Sequence, residues 1–320
     1  MDNSAPFVSI IISSYNSKNH LQECLKSLNA SDYPYYEIIV VDAGSTDGTP
    51  EMVREFFPSV RLITVNKRIG IGEAINIGIS EARGDYFIFD LNTDEVVEKS
   101  WLRMLVEAFK NSPAYVGIVT GKRLIYATDL IDSAGGKIDY ITGRIICIGS
   151  GRKSSEYDTP REVDCGFVLA VKKEVVRKIG LCDPDFHIYF EDVDFCIRAK
   201  KAGFKIMYIP GARSWHKGAG TIGHSLRGYY YIRRNTIRFI IKNFHPLLMI
   251  FPLAFWIFIR PILEAFLLMP FIRKLVLHTP FKVLCNININ YIFAYIKAII
   301  WNLSNLQRTI SLRMMHAFRA

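Results

Sequence analysis

The segment HIYFEDVDF, residues 187–195, places three carboxylates close together among aromatic side chains. Glu191, Asp192 and Asp194 repel one another, and packing of the neighbouring rings must remove part of their hydration. One interpretation is the solvated start of a helix, where carboxylates complement the helix dipole. The other is a catalytic carboxylate at the edge of a cleft, because desolvation by the aromatic neighbours would raise its basicity.

A second polar run, FDLNTDE, follows an apolar segment. If the chain stays extended there, Asp90, Asn92 and Asp94 share one face because side chains alternate along a strand. Carboxylates gathered in this way require a cation, and oxygen ligands suit Mg²⁺ or Mn²⁺ shared with substrate phosphates. His216, after the run FKIMYIP, could complete a metal site as neutral imidazole or be structural. The alternative for Asn-Thr-Asp is a turn satisfied by its own backbone.

Two further polar positions close strand-like runs near the N-terminus. Asp42 ends YEIIVVD, where a carboxylate can accept hydrogen bonds from a base or a ribose. Ser13 and Tyr15 close VSIIISSYN, where the ring could pack on a planar base and the hydroxyl could bind it. Asp47 and its neighbours also suit an Asx turn and a helix cap, so both interpretations remain open.

The elements that must position these residues alternate along the first part of the chain. Continuous Val/Ile runs separated by helical patterns predict a mainly parallel sheet with helices on both faces, which is an α/β fold. Ligands of such sheets bind beyond the carboxyl ends of the strands. The Gly-rich segment 114–165 predicts further short strands, and KKEVVRKIG predicts a helix.

Composition divides the chain into two parts. Of 320 residues with a net charge of +10, the part from residue 241 onward contains nine Lys/Arg and one acid, which is +8. We therefore predict a globular domain over 1–240 and a basic, apolar helical region over 241–320. A basic, apolar tail behind a nearly neutral domain favours an anionic membrane surface and argues against nucleic acid.

The cysteines and the N-terminus bear on the compartment. The six cysteines are scattered without a CxxC pair, which predicts a reducing compartment and no disulfide framework or zinc site. MDNSAPFVSI reads as a loop followed by a strand and not as a leader. The sequence therefore predicts a chain that faces the cytosol.

Three apolar runs occupy the C-terminal region: PLLMIFPLAFWIFI, PILEAFLLMPFI and YIFAYIKAIIWNL. Each is shorter than the ~20 residues that a straight span needs. The first two would be long enough if joined across Arg260 and Glu264, which lie one helical turn apart and could pair. The pattern favours interfacial or re-entrant helices over a span, and a buried helical subdomain is the alternative.

Several of these segments together resemble one enzyme family. VSIIISSYN, IIVVDAGSTDGT, GIGEAINIGISEARGDYFIFDLNTDE, the segment from DCGFVLAV to SWHKGAG, and YYYIRRN occur in the order seen in family 2 glycosyltransferases. The match is closest to the rhamnosyltransferase-like branch and covers about residues 7–240. The resemblance implies a GT-A fold, a nucleotide-diphosphate sugar donor, a divalent cation (Mg²⁺ or Mn²⁺) and inversion at the anomeric carbon. It also implies a glycan or lipid-linked glycan acceptor at the cytoplasmic side of the cell membrane.

The resemblance assigns roles at the acidic segments. Asp192 matches the catalytic base, and Glu191 would orient donor or acceptor. Asp94 would touch the metal, within an Asn-Thr-Asp that takes the place of the family's DxD motif. His216 matches a histidine that can join the metal or the diphosphate. Asp194 is expected to cap the helix or to pair with Arg198, one turn on.

The same resemblance assigns the donor site. Ser13, Tyr15 and Asp42 match the nucleoside contacts, and Asn92 belongs to the DxD-like motif. Where the family often has Asn-x-Gly before the third helix, this chain has Arg68-Ile69-Gly70. Besides Gly70, the donor site would include cations such as Lys67 and Arg68, which would help to neutralise the diphosphate.

Other classes of protein would carry features that this sequence lacks. A nucleotidyltransferase would carry a Gly-rich pyrophosphate loop after the first strand, and a processive synthase a Gln-x-x-Arg-Trp motif; the sequence contains neither. A non-catalytic, membrane-bound binder of nucleotide sugars would lack the base. A polyprenyl-phosphate sugar synthase is the nearest alternative, since only the acceptor differs.

Overall fold

The computed structural model describes residues 5–218, 225–266 and 289–319, which fall into two compact units. Of the described residues, the first unit holds 5–138 and 145–218, and the second holds 139–144, 225–266 and 289–318. The sequence placed a boundary at 240/241, whereas the units divide near residue 220. The helix Leu226–Asn243 therefore belongs to the second unit, where it packs against the helix Ile289–Ser304.

Twelve strands are described, ten of them in one sheet at the centre of the first unit. They are β1 (Val8–Ser14), β2 (Tyr36–Asp42), β3 (Arg61–Thr64), β4 (Tyr86–Phe89), β5 (Glu95–Val97), β6 (Val116–Ile125), β7 (Ile131–Ser133), β8 (Gly136–Asp139), β9 (Arg144–Cys147), β10 (Arg161–Val163), β11 (Leu169–Lys172) and β12 (Lys205–His216). The strands β8 and β9 form a separate pair.

The sheet is parallel in its N-terminal half and mixed beyond it. Its main path runs β10-β12-β6-β11-β4-β1-β2-β3, and β4, β1, β2 and β3 are all parallel. β11 lies antiparallel between β4 and β6, while β12 is parallel to β6. The α/β fold is thus confirmed, but the continuous parallel arrangement β4-β1-β2-β3 covers only the segment in which strands and helices alternate in the sequence.

Helices cover this sheet where the apolar spacing predicts them. The helix Lys18–Asn29 buries Leu21, Leu25 and Leu28, as its 3.6-residue pattern requires. A Cβ on Gly78 would lie 2.3 Å from Ile11 Cγ2, so this glycine allows its helix to approach β1 closely. The helices of the first unit are Lys18–Asn29, Thr49–Phe56, Ile71–Glu81, Trp101–Lys110, Lys173–Ile179 and Glu191–Lys201, with 3₁₀ turns at Ser154–Tyr157 and Pro184–Phe186.

The second unit is helical throughout its described C-terminal part. Its elements are Leu226–Asn243, Pro246–Ala254, a π-helical turn Phe255–Ile259, Arg260–Phe266, Ile289–Ser304 and Leu306–Arg319. The residues 267–272 of the predicted run PILEAFLLMPFI lie outside the described residues.

One helix differs from the short runs that the sequence predicts. Pro246–Glu264 is continuous over 19 residues with a mean hydropathy of 2.0, and only 11% of its apolar stretch is buried. Pro252 does not end the helix, because the wider π turn that follows accommodates the disturbed hydrogen-bond ladder. The predicted pair is confirmed, since Arg260 Nε lies 2.6 Å from Glu264 Oε1. Within the described ranges this helix alone is long and apolar enough to cross a membrane.

Candidate active site

Polar residues follow three neighbouring strands at one edge of the first unit's sheet. β1 pairs in parallel with both β2 and β4, with Ser14 opposite Asp42 and Ile10 opposite Ile88. The residues after these strands therefore come to the same edge, where ligands of open α/β sheets bind. Asp42, at the end of β2, is fully buried there.

Asp42 forms an Asx turn with the residues that follow it. Its Oδ2 accepts a hydrogen bond from the Ser45 backbone N–H at 2.9 Å, and its Oδ1 accepts one from Ser45 Oγ at 2.5 Å. Asp47 is structural in the same way, because its carboxylate accepts hydrogen bonds from the Thr49 N–H and hydroxyl and from the Lys18 N–H. A role of Asp42 in binding a nucleoside stays a prediction.

Tyr15 and Arg68 form a stacked pair at the same edge. The guanidinium carbon of Arg68 lies 4.1 Å from the centroid of the exposed Tyr15 ring. A ring with a cation over its face can also receive a planar base, and the guanidinium can move to a phosphate. Lys67, beside Arg68, is exposed, and Ser13 is half-buried at the end of β1.

Gly70 joins two loops of the site. A Cβ there would lie 2.7 Å from both the Cα and the carbonyl oxygen of His187. The next residue, Ile71, donates its N–H to the same carbonyl oxygen at 2.6 Å. Gly70 thus holds the Arg68 loop against the loop that leads to Glu191, which is a packing role distinct from the predicted contact with donor.

The segment after β4 corrects one prediction. Asp90, Asn92 and Asp94 do not share one extended face, because β4 ends at Phe89 and Asp90 adopts a left-handed φ of 61°. A turn follows, in which the Glu95 N–H donates to the Asn92 carbonyl oxygen at 3.1 Å. Asp90 is therefore directed away from Asp94, and the half-buried Asn92 lies between them in the chain.

Asp90 instead joins Glu191 and Asp192 in what we call the acid cluster. Burial, with the charges of Asp192 and Glu191, raises the pKa of Asp90 well above its usual value. Burial and the Asp192 charge raise the pKa of Glu191 to about 8. Burial raises the pKa of Asp192 to about 6, opposed by the Val193 N–H and by Arg123. A carboxyl group with a pKa of about 8 retains its proton at neutral pH and one with a pKa of about 6 is mainly ionised, so Glu191 and Asp192 differ in charge.

Local packing explains why these acids are forced together. The Phe89 and Phe195 rings meet edge to face with centroids 5.1 Å apart, which ties the end of β4 to the first turn of the helix Glu191–Lys201. His187, Tyr189 and Phe190 all have left-handed φ values of 63–74°. Each such residue costs about 1–3 kcal/mol and persists only where its surroundings demand it, as in active sites.

The third acid of the segment has a structural role, as the sequence predicts. Asp194 is fully buried, and its Oδ2 accepts a hydrogen bond from Arg198 Nε at 2.9 Å. The other guanidinium nitrogens of Arg198 donate to the Ile179 and Leu181 carbonyl oxygens. This confirmed pairing separates Asp194 from the acid cluster.

A second group, which we call the histidine network, comprises Asp94, Glu95, Arg123, Asp132 and His216. His216 Nε2 lies 3.5 Å from Asp94 Oδ2, and His216 Nδ1 lies 3.1 Å from Asp132 Oδ2. Arg123 Nε lies 2.6 Å from Asp132 Oδ2, and its NH1 lies 3.5 Å from Glu95 Oε1. Burial opposes protonation of His216, but the bond to Asp132 raises its pKa above the usual value.

Asp94 and His216 fit the metal site predicted for them. Asp94 Oδ2 is buried and has no hydrogen-bond partner among the described residues, although it faces His216 Nε2. A divalent ion bound there would replace the proton that the imidazole otherwise carries. Asp132 would act as the carboxylate that orients a ligating histidine. Over residues 5–218, 225–266 and 289–319, no three His, Cys, Asp or Glu side chains form a metal cluster, so substrate oxygens would complete the coordination.

Sequence reasoning missed Arg123 and Asp132. Both come from the Gly-rich middle segment, and the registers β6–β12 and β6–β7 bring them to His216. Ile125 is opposite His216, and Arg123 is opposite Ser133. The only available signal was a charged residue within an otherwise apolar strand, in GKRLIY.

The fold of the first unit is known from other proteins. The solved mannosyltransferase PcManGT from Pyrobaculum calidifontis, in complex with GDP-Man and Mn²⁺, superposes with a TM-score of 0.60 at 19% identity. The match covers 94% of this chain and 88% of that one. The first unit thus has the GT-A fold of glycosyltransferases.

Sequence comparisons give the family. The Glycosyl transferase family 2 model matches residues 9–141, and the Glycosyl transferase family group 2 model matches residues 88–306, more than half of the chain. The chain belongs to the family 2 glycosyltransferases.

Two relatives illustrate its range. Glycosyltransferase AglE of Haloferax volcanii is 26% identical over 275 residues, covering 81% of this chain and 82% of AglE. Poly-beta-1,6-N-acetyl-D-glucosamine synthase of Staphylococcus epidermidis is 28% identical over 218 residues, covering 68% of this chain and 51% of the synthase. The matched region spans about half the length of that synthase.

Proposed function

We propose that this glycosyltransferase moves a sugar, with inversion, from a nucleotide-diphosphate sugar to a hydroxyl of a glycan or lipid-linked glycan. The observation that carries the proposal is the acid cluster, in which the buried Glu191 Oε2 has no hydrogen-bond partner among the described residues and burial raises the pKa of Asp192 to about 6. The sugar would be a hexose or deoxyhexose, in keeping with the resemblance to the rhamnosyltransferase-like branch.

Asp192 serves as the general base. An acceptor hydroxyl is a poor nucleophile until its proton is removed, and a positioned carboxylate contributes about 10²–10⁴-fold. With a pKa of about 6, Asp192 is ionised at neutral pH and more basic than an ordinary aspartate. As the acceptor oxygen attacks the anomeric carbon, the bond to the diphosphate breaks on the opposite face, which inverts the configuration.

Glu191 and Asp90 support that base in their protonated forms. A neutral carboxyl group donates one hydrogen bond and accepts others, so it can orient sugar hydroxyls without adding charge. Glu191 Oε2 and Asp90 Oδ2 are buried and lack hydrogen-bond partners among the described residues. A donor or acceptor sugar would supply those missing hydrogen bonds.

The leaving diphosphate is assigned to the opposite part of the site. Asp94 and His216 would hold a Mg²⁺ or Mn²⁺ ion, which supplies Lewis-acid neutralisation of phosphate charge when bound. A hydrogen bond between Asp132 Oδ2 and His216 Nδ1 fixes the imidazole ring, so that Nε2 is directed at Asp94. Arg68 and Lys67 are exposed cations at the same edge of the sheet and would add direct charge to the diphosphate.

The nucleoside is assigned to the end of β1 and β2. Tyr15 would receive the base on the face where Arg68 now stacks, with Ser13 and Asp42 as hydrogen-bonding partners. Asn92 would contact the donor between the two acidic groups, and Gly70 keeps its loop close enough to His187 for this arrangement.

The second unit is proposed to dock on the cytosolic leaflet of the membrane. Leu247, Ile250, Phe251 and Phe258 are each more than half exposed on the helix Pro246–Glu264. Burying such side chains gains about 25 cal/mol per Å², and each basic residue near anionic lipid adds ~1 kcal/mol. An apolar surface of this kind exceeds what a soluble monomer normally exposes.

A donor and acceptor panel tests the proposal. Full-length protein is screened against nucleotide sugars by thermal shift, since a ligand at ~100 times its Kd stabilises by ~2.7 kcal/mol. The donor identified is then assayed with polyprenyl phosphate and with a glycan linked to a lipid diphosphate. Transfer to the glycan with inverted configuration is expected. Transfer to polyprenyl phosphate alone would instead make the chain a polyprenyl-phosphate sugar synthase, and no donor binding would refute a transferase.

A further inference from the structure

We propose that an arginine cluster in the second unit binds the phosphate that links an acceptor glycan to its lipid. The cluster consists of Arg233 and Arg260, which both pair with Glu264, and of Arg144, whose charge acts on Arg260. This inference rests on the proposed function for the nature of the lipid, but the site itself lies wholly within the second unit. The residues that would recognise the lipid phosphate of the acceptor therefore lie outside the acid cluster and the histidine network.

The cluster has more positive than negative charge. Glu264 is buried, and its Oε1 lies 2.8 Å from Arg233 NH2 and 2.6 Å from Arg260 Nε. Arg144 is exposed and near enough to Arg260 for their like charges to repel. Three guanidinium groups and one carboxylate leave a net charge of +2, and among the described residues no acid other than Glu264 pairs with Arg233 or Arg260.

Arg233 also has a donor available within the cluster. Its Nε is buried and has no hydrogen-bond partner among the described residues. Its side chain is 14% exposed and that of Arg260 is 34% exposed, so an anion can reach both. Guanidinium groups bind phosphate oxygens through two parallel N–H bonds, which a single lysine cannot do.

Aromatic rings hold Arg233 without neutralising its charge. The Arg233 guanidinium lies over Tyr229, Trp256 and Tyr295, with 4.6, 5.1 and 5.6 Å to the ring centroids. The Trp256 indole N–H donates to the Thr142 carbonyl oxygen at 2.5 Å, and the Tyr295 hydroxyl donates to the Trp256 carbonyl oxygen at 2.6 Å. The rings that hold Arg233 therefore come from three separate helices, and Arg144 comes from a fourth segment.

The surroundings of the cluster indicate what the phosphate is attached to. Phe258 and Ile262, on the same helix as Arg260, are 66% and 56% exposed. A soluble anion gains nothing from such neighbours, whereas an isoprenoid chain joined to a phosphate satisfies both the charge and the apolar surface. The occupant that fits is a polyprenyl phosphate or diphosphate.

Vesicle flotation of the full-length protein, without any donor, tests this assignment. Three vesicles are compared: neutral phosphatidylcholine, the same lipid with polyprenyl phosphate, and the same lipid with phosphatidylglycerol at equal charge. The variants are Arg144→Gln, which removes an exposed cation, and Arg260→Lys, which keeps the charge but loses the guanidinium group that can donate two parallel hydrogen bonds. Lys297→Gln is the matched control, since Lys297 is an exposed cation of the same unit outside the cluster.

We expect the wild type to prefer polyprenyl phosphate over phosphatidylglycerol. Arg144→Gln and Arg260→Lys should each weaken the polyprenyl-phosphate binding about tenfold or more, as for a charged hydrogen bond. Lys297→Gln should change binding to the two anionic vesicles equally and by about fivefold at most. Unchanged thermal unfolding of each variant shows that the loss is not a folding defect.

Three results would overturn the assignment. The first is equal binding of the wild type to both anionic lipids, and the second is an equal loss of polyprenyl-phosphate binding in Arg144→Gln and Lys297→Gln. The third is full displacement of the protein from polyprenyl-phosphate vesicles by equimolar inorganic phosphate, which would indicate a site for free anions. Donor binding is measured on the same preparations. Failure of donor binding alone counts against the proposed transferase activity, whereas loss of lipid selectivity alone counts against the arginine cluster.

Discussion

The acid cluster and the histidine network are both rich in buried carboxylates, yet they manage charge in opposite ways. In the acid cluster, burial without a directly paired cation raises the pKa of both Asp90 and Glu191, and that of Glu191 reaches about 8, so Glu191 retains its proton at neutral pH. In the histidine network, His216 and Arg123 compensate the acids, and the pKa of Asp132 is lowered despite burial.

The difference separates two kinds of chemistry. A site that keeps neutral carboxyl groups around one ionised carboxylate is suited to moving a proton. A site whose carboxylates face a histidine and an arginine is suited to a divalent cation and, through it, to a diphosphate. Variants that affect one group and not the other therefore test whether base catalysis and donor binding are divided as the geometry indicates.

Asp192→Asn should have the largest effect. The amide cannot remove the acceptor proton, so transfer should fall by at least ~10²-fold while nucleotide-sugar binding is nearly unchanged. Initial rates and calorimetric donor affinity check both parts. In the wild type, kcat/KM should rise as the pH passes about 6, where the Asp192 carboxylate ionises.

The control for that variant is Asp32→Asn, which removes the same charge from a surface pair with Arg103. It should retain essentially full activity. Retention of more than about a tenth of the wild-type rate by Asp192→Asn would contradict the assignment of the base, given the minimum expected of such a group.

Asp94→Ala should lower donor affinity and metal dependence together. Loss of a direct ligand should lower metal affinity by more than the 10–100-fold that is typical when a residue that only orients a ligand is replaced. Rates are measured against added Mn²⁺ and Mg²⁺, and nucleotide-sugar affinity is measured with and without metal. If the wild-type enzyme proves fully active in EDTA, the metal role is wrong and Arg68 or Lys67 must neutralise the diphosphate.

Asp132→Asn should give a smaller effect of the same kind. The amide still occupies the space but no longer presents an anionic Oδ2 to both His216 Nδ1 and Arg123 Nε. We expect the concentration of Mn²⁺ for half-maximal activity to rise about 10–100-fold, with the rate at saturating metal largely restored. A reduced maximal rate with unchanged metal affinity would instead place Asp132 in the chemistry of the acceptor.

These residues also show how much of the fold and of the site the sequence predicts. The runs VSIIISS and YEIIVVD predict β1 and β2 because continuous apolar strands are visible locally, and the Asp194–Arg198 pair follows from helical spacing alone. Asp132 and Arg123 were not predicted, because only the pairing of distant strands brings them to His216. The turn at Asp90 was missed since a left-handed aspartate has no reliable local signature.

Glu191→Gln should have the smallest effect on activity and a distinct effect on stability. At pH 7 the Glu191 carboxyl already holds a proton, since its pKa is raised to about 8, so a neutral amide of the same shape should change transfer only a few-fold.

The effect of Glu191 on stability depends on pH. The folded protein binds the Glu191 proton more tightly than the unfolded chain, in which the pKa of this carboxyl is near 4.5. The contribution to stability is therefore present below about pH 4.5 and is lost as the pH rises through about 8. Denaturant unfolding from about pH 5 to 9 should show the wild type losing stability and Glu191→Gln losing less, with Asp90 and Asp192 contributing to the remaining slope because burial raises their pKa as well. Glu174→Gln, at an exposed glutamate, should follow the wild type. Identical slopes for wild type and Glu191→Gln would mean that Glu191 is ionised in the folded protein, and the contrast between the acid cluster and the histidine network would fail.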